Sequence, residues 1–222
     1  MRISSLFTQK HKIPWITLIV IFCCVLITSI SVVSPVAYEK LAWSNHPEHS
    51  WQYISGAFLH GDSSGPAMAI AHLLVNFMLF VPYAIMAEKL IGSKSFGFVF
   101  LSTWLGISAI FQILVLITVP TGEIAYGAGL SGSAFAVTVV GAFILFRVFM
   151  IDKKQFFRQP LAYIFISGLI SELILLSPDI AGVSSMIIHL AGLLIGIILT
   201  IIYKAKICDS IKALSECQQC IY

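Results

Sequence analysis

Six apolar segments divide a chain of 222 residues in which only 10% are charged. They cover about 15–36, 67–86, 97–119, 130–147, 161–177 and 183–203. Each approaches the roughly 17–25 residues that a helix needs to cross a bilayer. Soluble domains carry about 25% charged residues, so this chain has too few to cover a water-facing surface. The apolar share, 59%, and a mean hydropathy of +0.97 agree. A soluble globular domain, a disordered chain and a basic nucleic-acid binder are excluded. The sequence predicts an all-α membrane protein of six transmembrane helices whose constant partner is the lipid bilayer, with no nucleic acid. It divides into an N-terminus (1–14), a six-span domain (15–204) and a C-terminal tail (205–222).

Charge placement gives the expected orientation. With the N-terminus in the cytoplasm and six alternating spans, twelve of the 13 Lys and Arg residues fall on the cytoplasmic side, and Lys40 alone falls outside. That asymmetry is the positive-inside pattern. It places both termini in the cytoplasm, and a plasma (inner) membrane is the expected location. Arg2, Lys10 and Lys12 precede a first span too long for a typical signal-peptide core, so that span reads as an uncleaved anchor. The long connection at 37–66 lies on the outer side. Its Trp43, Trp51, Tyr53, Phe58 and Leu59 predict short amphipathic pieces at the membrane interface. Cys217 and Cys220 form a lone C-x-x-C without a second pair, which is weak support for a zinc site, and no metal or cofactor is called for.

Polar groups at membrane depth are costly and mark cavities or partners. Three sets stand out. His72 and Asn76 share one face of the second span, four residues apart. Ser131 opens the fourth span within Gly127-Ala128-Gly129-Leu130-Ser131-Gly132-Ser133. His189 lies two turns into the sixth span, followed by Gly192 and Gly196. All three spans run outside to inside, so the sets lie at similar depth. A serine needs a base within reach to act as a nucleophile, and His189 is the candidate. Acyl transfer also needs donors for an oxyanion. The Asn76 amide, the His72 imidazole and the Ser131 backbone N–H at a helix start can supply them. Gly192 and Gly196 present a small face to another at Gly132 and Ala136, which brings the two helices close. Glycines at 129 and 132 ease the entry into the fourth helix. Taken singly, each feature also fits ordinary packing; jointly they describe a catalytic cavity. Glu172 and Gln112 read as structural pairing groups.

Gly129-Leu130-Ser131-Gly132 resembles the G-x-S-G signature of rhomboid intramembrane serine proteases. His189 to Gly196 resembles their H-x-x-G-x-x-x-G, His72 to Asn76 their H-x-x-x-N, and Glu88 to Ser93 their E-x-x-x-G-S. The similarity covers roughly 51–204, in the family's order. It implies a six-helix rhomboid bundle and a Ser–His dyad, with Ser131 as nucleophile and His189 as general base. His72 and Asn76 are implied as oxyanion-hole contributors, and single-span or multi-span membrane proteins as substrates. Three positions depart from the pattern. Trp51-Gln52 stands where the family often has Trp-Arg. His60 is separated from His72 by a longer spacer. Phe135 replaces a Tyr that packs beneath the catalytic His. Two rival expectations are a catalytically inactive rhomboid-like binding protein and a metal or proton transporter using His60, His72, His189 and Glu172.

Overall fold

The computed structural model describes residues 3–7, 13–61 and 65–219. Arg2, Lys10, Lys12 and Cys220, used in the sequence reading, lie outside them. In chain order the elements are α1 (Ser4–Phe7), α2 (Trp15–Val33), α3 (Pro35–Leu41), β1 (Trp43–Ser44), α4 (Gln52–Ser55), α5 (Pro66–Ile91) and α6 (Ser93–Thr118). There follow β2 (Tyr126–Gly127), α7 (Ser131–Ile151), α8 (Lys153–Phe157), α9 (Pro160–Leu175), α10 (Pro178–Ala181) and α11 (Val183–Gln219).

Five helices, α2, α5, α6, α7 and α11, are long and apolar enough to cross a membrane. The sixth, α9, is apolar but has only 16 residues. At 1.5 Å per residue it spans about 24 Å, short of a bilayer core of about 30 Å. The protein is thus an integral, multi-pass helical bundle. Outward-facing apolar side chains such as Phe22, Leu116, Ile117 and Ile201 are widely exposed, as a lipid-facing surface requires.

At the centre stands α7, buried along most of its length. Its apolar face (Ala134, Val137, Val140, Ile144, Val148) shares one core with Phe80, Tyr83 and Met86 of α5 and with Leu199 and Ile207 of α11. Glycine makes two of the approaches possible. A Cβ on Gly192 would stand 2.1 Å from the Gly132 carbonyl oxygen, and one on Gly196 would stand 2.6 Å from that of Ala136. The small faces expected on the fourth and sixth spans are therefore pressed backbone to backbone. Lower down, a Cβ on Gly141 would stand 2.4 Å from the Tyr83 ring. The Tyr83 hydroxyl donates to the Phe165 carbonyl of α9 at 2.7 Å, tying α5, α7 and α9 together.

The end away from Ser131 is closed by polar groups that find partners. The Glu88 side chain, 1% exposed, accepts from the N–H groups of Ile16 (2.9 Å) and Thr17 (2.8 Å) and from the Thr17 hydroxyl (2.7 Å). It thereby caps α2, whose own N-cap is Pro14 and has no side-chain cap. Four residues on, Gly92 adopts φ +85°, and α6 starts at the next residue. The E-x-x-x-G-S run is thus a cap for one helix followed by a hairpin between two others. Ile3 and Leu6 of the N-terminal segment bury against this end, with Phe7 stacked on Phe165.

The structure does not break at 204. Helix α11 continues to Gln219, and Ile207 and Ile211, 0% and 2% exposed, pack into the core. The tail set off at 205 is continuous with the last span over its described residues.

Candidate active site

The long connection after α2 carries the short helices α3 and α4 and folds into a brace. Trp43, 4% exposed, stacks on Phe111 of α6 with centroids 5.4 Å apart, and its indole N–H donates to the Tyr53 carbonyl. Burial of Trp43 corrects the interfacial expectation for that residue, whereas Trp51 and Tyr53 remain exposed. Gln52, at the position where Arg is frequent, organises the brace. Its amide N–H2 donates to the carbonyls of Glu39 (2.9 Å) and Ala42 (3.1 Å), and its oxygen accepts from the His49 N–H (3.0 Å). β1 pairs antiparallel with β2, Trp43 opposite Gly127. The Gly129 N–H donates to the Gly56 carbonyl at 3.0 Å. The brace therefore holds the segment that delivers Ser131. Gln112 also serves it, donating to the Ser44 carbonyl at 3.3 Å rather than to another helix.

Gly129 has φ +128°, a conformation open to glycine, and a Cβ there would press on the His72 ring at 3.3 Å. Two residues later Ser131 is the first residue of α7. The N-cap, Leu130, has no side-chain oxygen and makes no cap bond. The first amides of α7 and the positive end of its dipole are thus left without a side-chain cap.

Ser131, His72, Asn76 and His189 line one cavity of about 570 Å³, together with Phe135, Leu175, Ser185, Met68 and other apolar residues. The four sequence candidates are therefore brought together at one depth by three different helices. Ser131 and His189 share the cavity without a direct hydrogen bond, in keeping with catalytic bonds that tighten only around substrate. The His189 ring lies on Phe135, centroids 4.3 Å apart and planes 12° apart. Its Nδ1 is 3.1 Å from the Leu175 carbonyl oxygen. A carbonyl only accepts, so Nδ1 carries the hydrogen and Nε2 keeps its lone pair. His72 is held the opposite way. Its Nδ1 accepts from the Gly61 N–H at 3.1 Å, so its proton sits on Nε2. Asn76, 3% exposed, donates one amide hydrogen to the His72 carbonyl of its own helix at 3.0 Å, which leaves the second.

His60 does not line the cavity but backs it. It is fully buried, with its ring edge-on to His72 at 5.2 Å. Its backbone N–H donates to the Thr28 hydroxyl at 3.2 Å, and its Nδ1 pairs with the Phe58 carbonyl at 3.1 Å. Burial, with His72 adding to it and the Phe58 carbonyl opposing, pushes His60 down to about 3. Glu172 lies away from the cavity and accepts from the Thr138 hydroxyl of α7 at 2.6 Å. Among the described residues no group of three His, Cys, Asp or Glu is placed to hold a metal ion.

Sequence reasoning missed three features of the site. The Leu175 and Gly61 backbone groups carry no sequence label. Ser185 could have been found, since it precedes His189 by four residues and shares its helix face.

Taken together, the bundle and cavity define a polytopic membrane protein with a serine at a helix N-terminus facing an oriented histidine. A family model described as Rhomboid domain matches residues 47–206. The chain belongs to the rhomboid family, whose members are in general intramembrane serine proteases acting on membrane substrates. No curated protein matches the chain.

Proposed function

We propose that this protein is an intramembrane serine endopeptidase that cleaves membrane-protein substrates in or near their transmembrane segments. Ser131 Oγ adds to the scissile carbonyl carbon as its proton passes to His189 Nε2. The peptide C–N bond then breaks, His189 returns the proton to the leaving amine, and an acyl-enzyme remains. Water, deprotonated by the same nitrogen, adds to the ester and releases Ser131 with its proton restored. The developing oxyanion is held by the Ser131 N–H, the His72 Nε2–H and the second Asn76 N–H. Gly129, Gly132, Gly192 and Gly196 support this arrangement through their backbone approaches. No metal or cofactor takes part in these steps.

One observation carries the reading: Ser131 at an uncapped helix start and His189 with a free Nε2 line the same cavity. The orientation follows the described Lys and Arg residues, which apart from Lys40 fall by helix alternation at the Glu88 end. We place that end and both termini in the cytoplasm and the cavity on the outer side of a plasma membrane.

The test is incubation of the reconstituted chain with a panel of single-span membrane proteins, followed by mass analysis of the fragments. A fluorophosphonate probe is added in parallel. Wild type should cleave and be labelled. Ser131→Ala should lose labelling and lose turnover by roughly 10⁴-fold or more. Undiminished cleavage by Ser131→Ala overturns the assignment. A wild type that neither cleaves nor labels makes the chain a non-enzymatic rhomboid relative.

A further inference from the structure

We infer that the backbone carbonyl of Leu175 is the positioning group that orients His189, so that the docking of α9 governs whether His189 can take a proton from Ser131. This rests on the peptidase reading and deepens it by naming what controls the base.

Among the described residues no carboxylate lines the cavity, so no Asp or Glu there can hold the imidazole. Phe135 fixes the plane of the ring. A flat stack leaves two settings related by a half-turn about the Cβ–Cγ bond, which puts Cδ2 where Nδ1 was and Cε1 where Nε2 was, and it does not choose which nitrogen carries the hydrogen. The 3.1 Å contact between Nδ1 and the Leu175 carbonyl oxygen breaks this ambiguity. It requires hydrogen on Nδ1 and therefore a lone pair on Nε2. The acceptor is built for the purpose by the end of a helix. Leu175 is the last residue of α9, and the last carbonyls of a helix lack intrahelical partners. The N–H groups of Leu176 and Ser177 turn back to the carbonyls of Leu173 and Ile174, which leaves the Leu175 oxygen to face α11. The negative end of the α9 dipole then lies beside the ring on which positive charge forms during the reaction.

This acceptor sits on the shortest span. α9 is tied to α5 by the Tyr83–Phe165 hydrogen bond and to α7 by the Thr138–Glu172 hydrogen bond. Both ties lie on the Pro160 side of its final residue. Displacement of its C-terminal turn removes the acceptor while Phe135 and Ser131 stay in place. Helix position and base orientation are thereby coupled.

The test uses the full chain in bicelles, labelled with ¹⁵N-histidine, with the His189 signals assigned by their loss in His189→Gln. Wild type should show a single neutral form protonated on Nδ1. Leu176→Pro removes the Leu176 N–H and disfavours helical backbone at Leu175, which turns that carbonyl away. It should give mixed or Nε2-protonated His189, with kcat lower by roughly tenfold or more and KM within about twofold. Leu176→Ala should behave as wild type in both. An Nε2-protonated wild type overturns the inference, as does a folded Leu176→Pro with unchanged tautomer and kcat. If Leu176→Pro does not fold, the wild-type tautomer decides alone. Nδ1 protonation in a chain that hydrolyses nothing overturns only the peptidase reading. Hydrolysis with Nε2 protonation overturns only this inference.

Discussion

At the Glu88 end of the bundle, polar groups are consumed by one another; at the Ser131 end, they converge on a cavity. Glu88 spends both oxygens on the amides and hydroxyl that open α2, and the flanking segments of both termini pack over that end. Ser131 opens α7 with no side-chain cap, and His72, Asn76 and His189 line the same space of about 570 Å³. The same structural event, a helix start at membrane depth, is thus resolved in two ways. Where a helix start is capped, the amides stabilise the fold. Where it is left uncapped, they remain available to a ligand. The contrast predicts that substitutions at the two ends separate stability from turnover.

The largest effect should separate the two ends outright. Ser131→Ala is expected to remove roughly 10⁴-fold or more of turnover while leaving the thermal midpoint in detergent unchanged. A large fall in that midpoint would mean that Ser131 also holds the fold. Next comes the contact that spans both functions. Gly192→Ala forces a methyl group to within 2.1 Å of the Gly132 carbonyl oxygen. Overpacking of this kind costs about 1–3 kcal/mol, occasionally more, and here it pushes His189 from Ser131. Unfolding and turnover should both suffer, and loss of only one would show that the helices part without disturbing the site.

Glu88→Gln should be the mirror image of Ser131→Ala. Replacing a charge-assisted cap by a neutral one should lower stability by about 2 kcal/mol, while turnover per folded molecule stays near wild type. Denaturation and active-site titration together read this out. The smallest effect concerns His60. Its folded pKa is about 3 against an ordinary 6.5, so between those values the unfolded chain binds the extra proton. Its contribution is whole above 6.5 and is lost as pH falls toward 3. The slope is at most about 1.4 kcal/mol per pH unit. The thermal midpoint should drop between pH 7.5 and 5, and less steeply in His60→Gln. Equal slopes would remove His60 from the account.

The six crossings were legible because lipid imposes length and apolarity on every span, and Ser131, His72, Asn76 and His189 stood out because lipid makes polar groups conspicuous. The close approach through Gly192 was legible for a related reason, since small residues four apart have few other uses in a helix. What stayed hidden depends on partners far away in the chain or on groups without side chains. Glu88 was recognisable as part of a motif, but its work on residues 71 and 72 positions earlier was not. Gln52 was visible only as a departure from Arg, although its amide both donates and accepts within the brace. Trp43 looked interfacial because aromatic residues in a loop usually are; Phe111, 68 positions later, covers it. The continuation of α11 could have been found, since Ile207, Ile211 and Leu214 recur at helical spacing.

The cap on α2 has a consequence for the order of assembly. A chain made from its N-terminus threads the first crossing well before Glu88 exists, because Thr17 and its carboxylate are separated by 71 positions. Until the second crossing is synthesised and inserted, the leading end of the first has nothing of its own to close it. The first helix enters the bilayer as an unfinished piece, and the arrival of its neighbour completes it.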